Sequence, residues 1–169
     1  MSATVRQMLA GRGPIISVGP STTVFESLQR MAERNVGAVL VMEGGRLVGI
    51  FTERDYARKV VLRGLNSKNT PVGDLMTGKL ITVDRAWTAD QCMALMTEHH
   101  IRHLPVLEGD QVLGVVSIGD AVKAVVDEQH FVIGQLTSYI SRALAPSMGS
   151  GPTIQQLARI TCQVLYCWT

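Results

Sequence analysis

The chain has 169 residues, 46% of them apolar, with 16 basic and 14 acidic side chains and a net charge of +2. That apolar share suits one or two small cores and argues against disorder, while the lack of a concentrated basic stripe leaves no footprint of a nucleic-acid binder. Three cysteines (Cys92, Cys162, Cys167) without CxxC spacing argue against a disulfide framework or zinc knuckle and fit a reducing compartment, the cytoplasm.

Residues 1–14 form a lead-in with no long apolar run, so no secretory signal is expected. The first unit covers residues 15–63. It opens with an extended piece at 16–18, followed by a helical pattern in which Val24, Leu28, Met31 and Ala32 recur at spacings of three and four, with Thr22 or Thr23 as N-cap. Two strands follow at 38–42 and 47–51, joined by Gly44-Gly45, a tight-turn signal. A helix from 52 to about 62 closes the unit. Residues 64–79 are a linker in which Pro71 opens a short helix carrying Val72, Leu75 and Met76. The second unit, 80–127, repeats the order: an extended piece at 81–83, a helix with Thr88 as N-cap and Ala89, Met93 and Met96 on one face, strands at 103–107 and 112–116 around Gly109-Asp110, and a helix from 117 onward. Residues 128–144 continue as amphipathic helix. The stretch 145–152, "APSMGSGP", is a flexible break. Within the remaining tail to 169, Ile154, Leu157, Ile160 and Val164 have helical spacing, which leaves a partner-binding helix and a disordered tail both open. The longest apolar runs are strand-sized, so no bilayer span is expected.

The two units are copies. Shifted by 65 residues, 16–60 lies on 81–125 without a gap, and "GIFTERD" (49–55) falls on "GVVSIGD" (114–120). Two copies of strand–helix–strand–strand–helix exclude a solenoid and leave a pseudo-symmetric pair. Each unit is too small to bury its own sheet well. The expected fold is therefore α+β, two β-α-β-β-α units packed sheet to sheet with flanking helices.

The repeated motif admits two readings. Thr52-x-x-Asp55 and Ser117-x-x-Asp120 are helix capping boxes, with Asp in place of the usual Glu, and a cap needs no ligand. A helix N-terminus also presents free N–H groups and the positive end of the dipole to a phosphate, and an aspartate can accept both hydroxyls of a ribose cis-diol. The readings are compatible. The copies differ around the motif. Arg54, placed to pair with phosphate, corresponds to Gly119, and Gly37-Ala38 corresponds to Arg102-His103, which offers charge or stacking. Pro105, opposite Leu40, interrupts a strand and implies an edge or the approach of something other than a strand. One site is thus expected to bind more tightly, drawing on both copies with Arg54 nearby.

The doubled motif, the "HLPV" strand (103–106) and the gapless β-α-β-β-α repeat resemble CBS domains, and the pair resembles a tandem CBS, or Bateman, module over about residues 4–140. "MTEHHIRHLPV" and "TERDYARKVVL" are similar to stand-alone bacterial or organellar proteins of that family. The resemblance implies regulatory binding of an adenine nucleotide (AMP, ADP, ATP, NAD(H) or S-adenosylmethionine) in clefts between the paired domains. Carried over, Asp55 and Asp120 hold ribose hydroxyls, and Thr52 and Ser117 face phosphate. Arg54, Arg102, His103, Pro105, Gly37, Ala38 and the extended pieces at Ile16, Val18, Ile81 and Val83 complete the candidate binding set.

No nucleophile–base pair, G-x-S-x-G, Walker loop or zinc signature is present, so neither an enzyme nor a catalytic cofactor is expected. His99, His100 and His103 lack a fourth ligand, and no metal is expected. The chain reads as a regulatory module, a homodimer because apolar helices need cover, acting on an effector protein by changing shape. The alternative is an interaction module that needs no ligand.

Overall fold

The computed structural model describes residues 2–144, and the readings of 145–152 and 154–164 lie outside them. The chain divides into two units, 1–125 and 126–169. In chain order the elements are α1 (Val5–Leu9), β1 (Ser17–Val18), α2 (Val24–Arg34), β2 (Ala38–Glu43), β3 (Arg46–Thr52), α3 (Glu53–Asp55), α4 (Ala89–Glu98), β4 (His103–Glu108), β5 (Gln111–Ser117) and α5 (Ile118–Leu144). A π-helical stretch, Tyr56–Val61, follows α3, and a 3₁₀ turn, Val72–Asp74, lies in the linker with Pro71 at its N-cap.

Hydroxyl side chains start the helices. Thr4, Thr23, Thr52 and Thr88 each accept from the backbone N–H three residues on, and the residue there bonds back to the cap, closing a capping box every time. Each long helix of the repeat ends in a left-handed residue at the same place in its copy, Asn35 (φ 51°) and His100 (φ 53°). Two details depart from the sequence pattern. Along α2 the buried positions are Val24, Ser27 and Met31, so Ser27 rather than Leu28 is fully buried, and it is tolerated because its hydroxyl donates to the Thr23 carbonyl at 2.9 Å. The helix expected over 52–62 keeps only one α-turn before the N–H of Leu62 reaches back five residues to Ala57.

β1, β2 and β3 form one sheet, β1 parallel to β2 and β2 antiparallel to β3. β4 and β5 form an antiparallel pair, bulged at the same point as the first hairpin. The extended piece expected at 81–83 makes only an isolated bridge, Val83 to Val106. Pro105 explains this. Its counterpart Leu40 donates to the Ile16 carbonyl at 3.2 Å, and proline has no N–H to repeat that bond. Nor is Pro105 at a free edge: it pairs with Val115 on one side, and on the other its carbonyl accepts from Val83. Ala38, Leu40 and Ile50 of the first sheet pack against Val112 and Val115 of the second, bringing the sheets face to face.

The two copies exchange their lead-ins. Val5 of α1 is fully buried among Val83, Cys92, Met96, Leu104 and Val116 of the second copy. Val72 and Leu75 of the linker are buried in the first, with Val24, Met31 and Phe51. Val5 donates to Trp87 and Ala89 to Ala3, and in the equivalent place of the other copy Val72 donates to Thr22 and Val24 to Thr70. "TVRQMLAGR" (4–12) therefore aligns with "PVGDLMTGK" (71–79), and the repeat extends beyond its gapless part. The motif glycines make room for these segments. Met76 of the linker lies against Gly49, where a β-carbon would collide with it, and Leu9 of α1 stands 3.0 Å from a β-carbon built on Gly114.

Since both valines plug the opposite copy, Val5→Ala and Val72→Ala should each lower stability by about 1–3 kcal/mol. Val122→Ala, at a half-exposed position, should change it by less than about 0.5 kcal/mol. Urea denaturation midpoints check this. A Val5→Ala midpoint equal to wild type would contradict the exchange.

Candidate functional site

In the second copy, β5 delivers Ser117 and the first turn of α5 delivers Asp120. Asp120 Oδ2 accepts from the Ser117 amide at 2.7 Å and from its hydroxyl at 2.6 Å, and the Asp120 amide donates back to Ser117 Oγ at 3.2 Å. This box fixes the carboxylate in one rotamer. Asp120 Oδ1 faces the Arg12 guanidinium in an ion pair. Arg12 comes from the exchanged lead-in and is itself tied down, donating to the carbonyls of Met8 (3.0 Å) and Val115 (3.1 Å). Burial alone pushes the Asp120 carboxyl up, but bonds from Arg12 and Ser117 outweigh it and hold the group below its ordinary value. Asp120 is ionised at neutral pH.

Asp120 lies in a cleft of about 490 Å³. One wall is β5, with Leu113, Gly114 and Val115. The first copy contributes Ile15, Ile16 and Asn35 to Ala38. Leu9 and Arg12 close one side, and His103 and Arg34 also line it. The arrangement combines apolar side chains, a glycine, an ionised carboxylate at a helix start and cationic groups, a set suited to a flat ring, a diol and an anion.

The first copy builds the same box and then fills the space beside it. Asp55 Oδ2 accepts from the Thr52 amide (3.1 Å) and hydroxyl (2.7 Å). Its Oδ1 is paired with Lys59 at 2.8 Å, one turn along the same helix. Lys59 also donates to the Leu75 carbonyl and to Thr77 Oγ1, and Thr77 lies 3.4 Å from Asp55. Thr77 exchanges two backbone bonds with Ile50. The Asp55 side chain keeps 14% exposure against 25% for Asp120.

The expected binding residues separate accordingly. Ile16, Gly37, Ala38, His103, Ser117 and Asp120 line the cleft. Thr52, Asp55, Arg54, Arg102, Pro105, Val18, Ile81 and Val83 do not. Arg54 instead donates to the carbonyl of left-handed His100 at 2.7 Å, joining the copies. Val18, Val83 and Pro105 are buried in the sheets, and Arg102 is exposed. The reading along the gapless repeat missed Arg12 and Arg34. Arg12 had a signal, because "AGR" (10–12) matches "TGK" (77–79) once two residues are skipped. Burial lowers the His103 pKa, and the nearby charges of Asp120, Glu53, Arg102 and Arg54 largely offset one another. Among the described residues no cluster of His, Cys, Asp and Glu could hold a metal ion, and no helix is long and apolar enough to cross a membrane.

Comparisons with known proteins agree with the fold. The family model for the CBS domain matches residues 5–62 and 72–137. The mitochondrial CBS domain-containing protein CBSX3 of Arabidopsis thaliana is 46% identical over 123 residues, covering 70% of this chain and 60% of that protein. A CBS-domain protein structure from Burkholderia ambifaria superposes with a TM-score of 0.72 at 46% identity, covering 75% of this chain and 96% of that one. The CBS domain protein PAE2072 from Pyrobaculum aerophilum, solved in complex with AMP, superposes with a TM-score of 0.62 at 26% identity, covering 69% of this chain and 88% of that one. With two matched domains, a repeated β-α-β-β-α core and a cleft between the copies, the chain belongs to the CBS domain family as a tandem pair.

Proposed function

We propose that the chain is a regulatory module that binds an adenine nucleotide in the cleft at Asp120 and passes its occupancy to a partner protein by a change of shape. One observation carries this reading: an ionised, pre-oriented carboxylate at a helix start faces a cleft walled by both copies. Asp120 takes ribose hydroxyls, Ser117 and the α5 N-terminus face the phosphate, and the base lies against Ile16 and the main chain at Gly37 and Ala38. The AMP complex of the Pyrobaculum relative supports the ligand class. Because the cleft walls belong to different copies, a ligand that fits one relative placement better shifts the population toward it.

The first-copy motif is assigned no ligand. Lys59, Thr77 and Met76 already hold the places beside Asp55 and Gly49. Binding is therefore one nucleotide per chain.

A second reading, association without ligand, is favoured by α5. Beyond Val126 the helix exposes Phe131, Val132, Ile133, Leu136, Tyr139 and Ile140. Val126, Ile133, Leu136 and Ile140 recur at steps of seven, three and four residues, which puts them on one helix face as in a helix-pairing stripe. A homodimer through this stripe is compatible with nucleotide binding. Light scattering should give twice the chain mass, and Ile133→Glu with Leu136→Glu should return a monomer.

A nucleotide at 100 times its dissociation constant should add about 2.7 kcal/mol of stability. In a thermal-shift panel of AMP, ATP, NADH and S-adenosylmethionine, Asp120→Ala should lose the stabilisation and Asp55→Ala should keep it, with a calorimetric stoichiometry of one. A flat wild-type panel would leave only the association reading. The His103 imidazole adds a pH dependence. Its pKa is lower folded than unfolded, so its contribution to stability is complete above about pH 6.5 and is lost as pH falls below that. His103→Asn should make the decline in urea midpoint between pH 7.5 and 5.5 shallower, and an unchanged decline would refute this role.

A further inference from the structure

We infer that the cleft selects an anionic, phosphate-bearing nucleoside over a cationic one such as S-adenosylmethionine, and that Arg34 is the selecting residue. The inference rests on the nucleotide reading above and narrows it. Asp120 is the one carboxylate among the residues lining the cleft, and Arg12 already neutralises it. The remaining lining cation is Arg34, in the last turn of α2. Its side chain is exposed and makes no hydrogen bond or ion pair among the described residues. His103 is half-buried and adds no negative charge, while the Glu53 carboxylate, which is not among the lining residues, stands behind Gly37 with its Oε2 3.4 Å from a β-carbon built there. The lining thus carries one positive charge in excess.

A sulfonium or ammonium group entering this cleft meets two guanidinium groups and, among the lining residues, no unpaired carboxylate, whereas a phosphate meets a free arginine. Arginine is suited to this, being permanently charged and presenting a planar fork of donors that matches two phosphate oxygens at once. The two cations differ in kind. Arg12 is fixed by three bonds and sets the state of Asp120, while Arg34 has no structural bond to give up on meeting an anion.

The test is titration calorimetry of the full chain with adenosine, AMP and S-adenosylmethionine, at about 0.05 M and 0.5 M salt. AMP should bind about tenfold or more tighter than adenosine, as a charge-assisted contact allows, with S-adenosylmethionine weakest. The AMP advantage should shrink at the higher salt, where screening shortens the reach of charge. In Arg34→Gln the AMP-to-adenosine ratio should fall toward one, and in Arg34→Glu S-adenosylmethionine should gain on AMP. If adenosine binds as tightly as AMP, if S-adenosylmethionine matches or exceeds it, or if Arg34→Gln keeps the wild-type ratio, this inference falls and nucleotide binding stands. If none of the three binds, both fall.

Discussion

The structure depends on an exchange: each copy of the repeat is completed by the segment that precedes the other. A β-α-β-β-α unit leaves one end of its sheet and the foot of its first helix uncovered. Val5 and Val72 fill those gaps from opposite directions, each fully buried. Burying a valine contributes about 1.5–3 kcal/mol, but the more important consequence is connectivity. Neither copy has a complete core until the other's lead-in is in place, so the relative placement of the copies is tied to the stability of both. The cleft is a by-product, because the lead-in that plugs the second core must then cross back to start β1. On the way it passes the motif aspartate and leaves Arg12 there.

The same exchange, run twice with small differences, gives one open cleft and one filled place. The chain covers 12–18 between lead-in and strand in the first copy and 79–83 in the second, two residues fewer. In the shorter crossing Leu80 lies against the inter-sheet core, whereas its counterpart Ile15 remains 41% exposed at the cleft. Beside the first aspartate the compensating cation comes from the next helical turn, Lys59, and lies less exposed than Arg12. Beside the second it comes from the exchanged segment. The motif's identical chemistry therefore has different neighbours, and the neighbours decide which carboxylate faces open space.

Much of this was legible in the sequence because it is encoded locally. Period-2 and period-3.6 patterns, Gly-Gly and Gly-Asp turns and threonine caps each act within a few residues, and the gapless repeat multiplies every such signal by two. What was not legible depends on partners far apart in the chain. Ser27 reads as surface until its bond to Thr23 is seen. Pro105 reads as an edge signal, yet its strand is flanked on both sides and the missing N–H instead weakens the neighbouring extended piece. Arg54 is well placed by spacing to meet a phosphate and is drawn away by a carbonyl 46 residues on. Arg12 and Arg34 were missed because a scan centred on the motif weighs the residues beside the aspartate, while the cleft recruits one lead-in and one helix end from the other copy.

The capping box and the proposed ligand site, which look like rival uses of one motif, support each other. A surface aspartate has several rotamers, and ordering it on binding costs free energy. In this fold the cap has ordered Asp120 beforehand: Ser117 holds Oδ2, and Arg12 keeps the group ionised and Oδ1 in place. The bonds that make α5 start at Ile118 are thus the ones that aim a charged oxygen at the cleft. A glutamate, with one more rotatable bond, could close the box as well but would place its carboxylate less firmly. In the second copy the double demand of capping and of the proposed binding gives a physical reason for aspartate at this position, while in the first copy Asp55 closes the cap and pairs with Lys59 and Thr77.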